Sequence, residues 1–321
     1  MIRKILLASV AAATVTGSAL AADLPSRKAP PPAFVPPPVW TWTGLYIGVN
    51  GGGIWNNSRN FVTNATDFGA TGTPVISAAA ALAANNIIPV NNRTQFLAGG
   101  TWGYNWQWNQ WVVGTESDFQ GVFGCNNNNN NNGNFGFFGN NNNNNCGGTA
   151  IGVAPVAGAP FSVLNQQTIT RSLDYLSTSR VRAGFLVTPS LLVYATGGVA
   201  IGRVHVNSLL TNTFVGPTPA GFFPGISTAN YSQLKAGFVA GGGLEWMFFK
   251  DWSVKAEAMY YDLGRSTLNQ QVQLIASAGP PGLLLSNTGT QTSWRNTGVI
   301  ARAGLNYHIH WFDAAPVVAR Y

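Results

Sequence analysis

The sequence predicts an all-β chain, a single eight-stranded antiparallel up-and-down transmembrane β-barrel with long extracellular loops. Three observations point there. Charged residues make up only 8% of the 321-residue chain, against roughly 25% in soluble domains, so most of the outer surface is kept from water. No stretch approaches ~20 uninterrupted apolar residues, which removes helical spans and leaves a closed barrel as the remaining way to satisfy backbone groups in lipid. Strand-like segments are joined by connections that alternate strictly between short and long, as tight turns at one barrel end and long loops at the other require.

The elements follow in chain order. Arg3 and Lys4, an apolar run over 5–15 and Ala19-Leu20-Ala21 read as the three regions of a secretory signal peptide over residues 1–21. The run is too short to anchor the chain in a membrane. Residues 22–42 hold seven prolines and read as an extended periplasmic leader. Arg27 and Lys28 there can touch an anionic surface such as the cell wall, or the leader has no partner. Residues 43–321 are then the barrel. Strands are expected at 44–55, 93–105, 110–119, 171–187, 191–207, 234–248, 252–263 and 294–309. Short connections fall at 106–109, 188–190 and 249–251. Long external loops are expected over 56–92, 120–170, 208–233 and 264–293.

The loop at 120–170 carries Cys125, seven Asn, a Gly/Phe-rich insert, six Asn and Cys146. Such a tract cannot bury enough apolar area to fold alone. In an exported chain the two cysteines are expected to pair, constraining the unfolded state by roughly 3 kcal/mol.

Parity decides which face is apolar. One face of strand 234–248 carries Lys235, Val239 and Glu245, and the other Phe238, Leu244, Trp246 and Phe248. Lys255 and Glu257 share a face opposite Trp252, Val254 and Tyr260, and Arg302 lies opposite Leu305 and Tyr307. Glu116 and Asp118 share a parity, as do Asp174, Arg180 and Arg182. Arg or Lys at the lipid midplane costs ~2–4 kcal/mol, so the charged face belongs to the lumen. Glu116, Arg180, Arg182, Lys235, Glu245, Lys255, Glu257 and Arg302 are the expected lumen charge network. It either lines a proton or ion path or neutralises buried charge and fixes register. An eight-stranded interior filled by side chains favours the second reading. Trp102, Tyr104, Trp106, Trp108 and Trp111 crowd the first short turn, and Trp246, Trp252 and Tyr260-Tyr261 the third, as an interfacial aromatic girdle would.

Nucleic-acid binding is not expected. The net charge of +7 falls to +5 without Arg3 and Lys4 (15 basic, 10 acidic), and the basic residues are scattered. His205, His308 and His310 are the only histidines, and no metal-spacing or nucleophile-elbow motif surrounds them. No metal, cofactor or catalytic residue is expected, although a Ser-His-acid site assembled from separate strands is the form an enzyme would take.

Four motifs are familiar in combination: Trp42-Thr43-Gly44-Leu45-Tyr46-Ile47-Gly48 behind the leader, Leu192-Val193-Tyr194-Ala195-Thr196-Gly197-Gly198, Lys255-Ala256-Glu257-Ala258-Met259-Tyr260-Tyr261-Asp262-Leu263-Gly264, and Ala301-Arg302-Ala303-Gly304-Leu305-Asn306-Tyr307. Together they resemble the porin-family outer-membrane β-barrel proteins of rhizobial-type bacteria, the outer-membrane immunogenic or surface-antigen type. The resemblance implies an eight-stranded barrel in the cell outer membrane, in contact with its lipid and lipopolysaccharide. It also implies that the aromatic end, Tyr321, helps the barrel assembly machinery recognise the chain. The expected function is structural and surface-exposed, with a filled lumen. The alternatives are a diffusion porin, for which eight strands enclose too little space, and a small-barrel lipid-modifying enzyme.

Overall fold

The computed structural model describes residues 40–57, 60–69, 74–90, 94–124, 146–217, 224–275 and 284–309. The expected signal segment, most of the leader, Cys125 with the Asn tracts, and the C-terminal end from His310 lie outside the described residues. Among those described, eleven antiparallel strands and one helix form. Eight strands close a ring: β1 (Gly44–Asn56), β4 (Thr94–Trp108), β5 (Trp111–Phe123), β7 (Ser162–Thr188), β8 (Leu191–Val215), β9 (Gly225–Phe249), β10 (Trp252–Ile275) and β11 (Leu284–Ile309). The seam runs between β1 and β11, with Leu45 opposite Ile309 and Ile54 opposite Ile300. The short connections are tight turns. Asn109 opens the β4–β5 turn with φ +52°, a left-handed conformation that Asn tolerates better than most side chains.

At the other end, most of the described residues expected in long loops are instead strand or helix. Residues 264–293 are largely the continuing halves of β10 and β11, paired from Arg265↔Arg295 up to Ile275↔Leu284. Residues 208–233 likewise extend β8 and β9, from Ser208↔Ala229 to Asn212↔Gly225. The region 56–92 holds β2 (Asn60–Asp67), helix α1 (Pro74–Ala84) and β3 (Asn86–Pro89), and 120–170 holds β6 (Gly147–Pro155) and the first part of β7. β2 pairs with upper β11, β3 with β2, and β6 with upper β7. The wall thus rises past the ring as a second, external storey. Helix α1 begins on Pro74, a favoured first helical position, and continues through an alanine run of high helix propensity. Its Ile76, Ala79, Ala80 and Ala83 pack with Val163, Leu274 and Leu285. The approach is close: a Cβ on Gly152 would lie 1.9 Å from the Ala83 carbonyl oxygen.

Polarity reverses along single strands. In lower β10, Ser253, Lys255 and Glu257 face inward while Val254, Ala256 and Ala258 face outward. Higher up, Leu268, Val272 and Leu274 face inward and Thr267, Asn269, Gln271 and Gln273 outward. The lower wall shows apolar side chains to its surroundings, and the upper wall buries them as a water-exposed domain does. A β-bulge between Asp262 and Arg265 marks the change, with Gly264 at φ +78°. A Cβ on Gly264 would meet nothing within 4 Å, so the cost of adding one is conformational. Gly264→Ala is expected to lose about 1–2 kcal/mol, read as a lower urea midpoint for the barrel in lipid vesicles.

Candidate functional site

Inside the ring, four carboxylates meet four cations. β5 supplies Glu116 and Asp118, β7 Arg180 and Arg182, β9 Glu245, β10 Lys255 and Glu257, and β11 Arg302. The two-residue alternation of a strand aims each pair on one element inward. No side chain of the eight is more than 2% exposed, so each charge needs a partner. Glu116 is the hub. Its carboxylate takes Lys255 Nζ at 2.8 Å, Arg182 Nη1 at 3.3 Å and Arg302 Nη2 at 3.5 Å, and also pairs with Arg180. Asp118 Oδ2 accepts from Arg180 at 2.9 Å and Arg302 at 2.8 Å. Glu257 meets Arg302 at 2.7 Å, and Glu245 meets Arg182 at 2.6 Å. Tyr46 donates to Glu116 and Tyr194 to Glu257, while the Arg182 guanidinium lies 5.3 Å from the Tyr46 ring centroid and 4.4 Å from that of Tyr194.

Apolar layers flank this cluster on both sides. Above it, Ile54, Phe61, Leu97, Leu176, Tyr261, Trp294 and Ile300 belong to one buried cluster. Below it, Trp42 packs with Val112, Leu186, Leu192, Tyr194 and Met247. Trp42 is fully buried, donates from Nε1 to the Pro189 carbonyl at 3.1 Å and sits edge-on to His308. Ser253, His308 and Glu245 also meet here. Ser253 Oγ lies 2.9 Å from His308 Nε2, and Glu245 Oε1 lies 3.5 Å from that same nitrogen. A Ser-His-acid triad needs the acid on the opposite ring nitrogen, and Ser253 instead donates directly to Glu245 at 2.6 Å.

Seven of the eight expected network residues come together, and Lys235 does not. It is half-buried on β9, with its ammonium 5.9 Å from the Tyr231 ring. It pairs with Gly202 of β8 but stands beyond the end of the β9–β10 ladder at Phe238↔Asp262. Asp118, Tyr46 and Tyr194 join the cluster without having been expected there. The shared parity of Asp118 with Glu116 was the available signal. The parity linking Asp174 to Arg180 is broken by a register shift between Leu173 and Leu176, and Asp174 is exposed. Cys146 is disulfide-bonded, and the other cysteine, Cys125, lies outside the described residues.

Outside the wall, aromatic rings form two levels. Trp106, Trp108, Trp111, Phe185, Trp246, Phe248, Trp252 and Tyr307 surround the short-turn end, and Trp55, Phe119, Phe238 and Tyr260 lie higher. Tyr261, expected beside the third turn, faces the interior at the upper level and donates to Asn56. Between Trp252 and Tyr260 the strand runs roughly 26 Å at 3.3 Å per residue, a rise of about 20 Å at a tilt near 40°, which fits within the apolar band of outer-membrane barrels. Just above, Asp262 pairs with Arg295 at 2.5 Å. Burial alone would raise the Asp262 carboxyl, but hydrogen bonds from Arg295 and the Gly264 N–H, with the Arg295 charge, hold it below the usual carboxylate range.

The sequence is 28% identical over 270 residues to the 31 kDa outer-membrane immunogenic protein of Brucella melitensis, covering 83% of this chain and 89% of that protein. The Brucella suis protein matches equally. The chain is an outer-membrane β-barrel protein. Its closed ring, aromatic levels and inward charges are those of such a barrel, and the resemblance to outer-membrane immunogenic proteins extends over most of its length. No family model matches it. Among solved structures, the outer-membrane protein OprG of Pseudomonas aeruginosa aligns with 84% of this chain and 99% of its own, at TM-score 0.32 and 13% identity. Neisserial surface protein A aligns with 83% and 98%, at 0.29 and 8%. The outer-membrane protease OmpT of Escherichia coli aligns with 84% and 98%, at 0.31 and 10%.

Proposed function

We propose that this barrel serves a structural and surface role, carrying its external storey on a membrane wall whose lumen does not conduct. The observation that supports this reading is the layered interior: an ion cluster of equal and opposite charge between two buried apolar layers, with Trp42 filling the short-turn mouth. A diffusion porin needs a continuous aqueous path, and wide channels belong to barrels of about sixteen strands. The charge cluster neutralises itself and fixes register instead of lining a route. The geometry at Ser253, His308 and Glu245 does not support an acyl-transfer role, so the reading is non-enzymatic.

Planar-bilayer recording tests the proposal. The purified mature protein should give no stable single-channel steps, whereas large steady steps would overturn the reading in favour of a porin. Lipid A profiles from cells with and without the protein should match, and an altered acyl pattern would revive the enzyme alternative.

A further inference from the structure

Two arginines face each other on the outer wall immediately above the upper aromatic level. Arg265 of β10 and Arg295 of β11 are register partners, and both are exposed. Like charges placed directly opposite on one sheet face are destabilising. The bulge creates this juxtaposition. Tyr261 and Leu263 point inward, and unbroken alternation would carry Arg265 inward as well, but the shift at Gly264 turns it out. Bulges commonly re-aim a side chain for use. Asp262 holds Arg295 through Nε at 3.1 Å and Nη2 at 2.5 Å, which orients the second guanidinium. Arg265 makes no side-chain hydrogen bond or ion pair among the described residues.

Further down the same two strands, past Tyr260 and Val299, the wall carries a shallow depression. Ala256, Ala258, Ala301 and Ala303, with Gly242 and Gly51 from the flanking strands, line this shallow trough. Larger side chains bound it: Tyr260 and Val299 above, Trp252 and Tyr307 below, the last two in edge contact at 5.1 Å. Between Arg295 and Ala301 the strand covers about 20 Å, comparable with a long acyl chain. A cationic pair at headgroup height over an apolar trough at acyl height matches one kind of molecule.

We propose that Arg265 and Arg295, with the trough beneath them, hold one phosphorylated lipid of the outward leaflet, its phosphate between the guanidinium groups and an acyl chain along the alanines. Arginine suits this role because its planar donor fork matches phosphate geometry. The proposal rests on the outer-membrane location of the barrel and is independent of whether the lumen conducts.

Native mass spectrometry of the full mature chain in mild detergent tests it, with diphosphorylated lipid A and its dephosphorylated counterpart as probes. The unaltered protein should retain the phosphorylated lipid and discriminate against the dephosphorylated one. Retention should fall at least about tenfold in R265Q/R295Q, from loss of two charge-assisted contacts. It should also fall in A258L/A301L, which fills the trough and leaves both arginines. Equal retention of the two probes by the unaltered protein would overturn the proposal, as would full retention by either double variant. Heat-modifiable migration on gels reports whether each variant is folded, and the two-probe comparison on the unaltered protein needs no variant.

Discussion

Replacing Glu116 with Gln should destabilise the folded barrel by about 3–5 kcal/mol, the cost of breaking a buried ion pair from one side. Glu116 is the carboxylate that touches all four lumen cations. Its neutralisation leaves Asp118, Glu245 and Glu257 facing Arg180, Arg182, Lys255 and Arg302, and so leaves a net positive charge among groups with almost no water contact. Urea unfolding in lipid vesicles should show the loss as a lowered midpoint. Lys255→Met on the same background removes the surplus cation that lies 2.8 Å from Glu116. The double variant should recover more than half of the lost stability, because balanced apolar replacement of a buried pair is often neutral. A Glu116→Gln barrel as stable as the parent would show that the cluster is solvated. Failure of Lys255→Met to rescue it would show that hydrogen-bond geometry, not charge balance, is what matters.

The second expectation sets two arginines on one face of one strand. Ala256→Arg places a cation on the outer wall midway between Trp252 and Tyr260, and should cost about 2–4 kcal/mol in vesicles. Gln271→Arg also points outward on β10 but stands above the bulge, and should stay within about 0.5 kcal/mol of the parent. The contrast locates the boundary between lipid and water without any probe of depth. Equal costs at both positions would mean that Asp262 and Gly264 do not mark that boundary.

Much of the ring was legible because alternation survives in a strand whichever side is apolar. Lys255 and Glu257 opposite Val254, Ala256 and Ala258 define both faces without further help. The external storey was not read, for a physical reason. Above the bulge the outward positions are Thr267, Asn269, Gln271 and Gln273, and a polar, uncharged composition resembles a loop. The alternation of Leu268, Val272 and Leu274 inside them carries the opposite sense to the membrane half, so a reader following one polarity loses the strand where it inverts. Helix α1 had a signal in Pro74 followed by alanines, masked by its place between two presumed barrel strands. Lys235 misled because parity reports which way a residue points, but not whether the neighbouring strand is still paired at that height. Lys235 stands ten residues along β9 from Glu245, past the end of the β9–β10 ladder at Phe238, and so lies away from the cluster.

The unbroken strands have a mechanical consequence. β7 passes from the membrane wall into the external storey without a linker, so tilting the upper part requires bending hydrogen-bonded sheet. From Tyr175 to Ser162 it climbs roughly 30 Å, allowing for a strand tilt near 40°. The described upper strands are therefore carried as on a fixed stilt above the membrane wall.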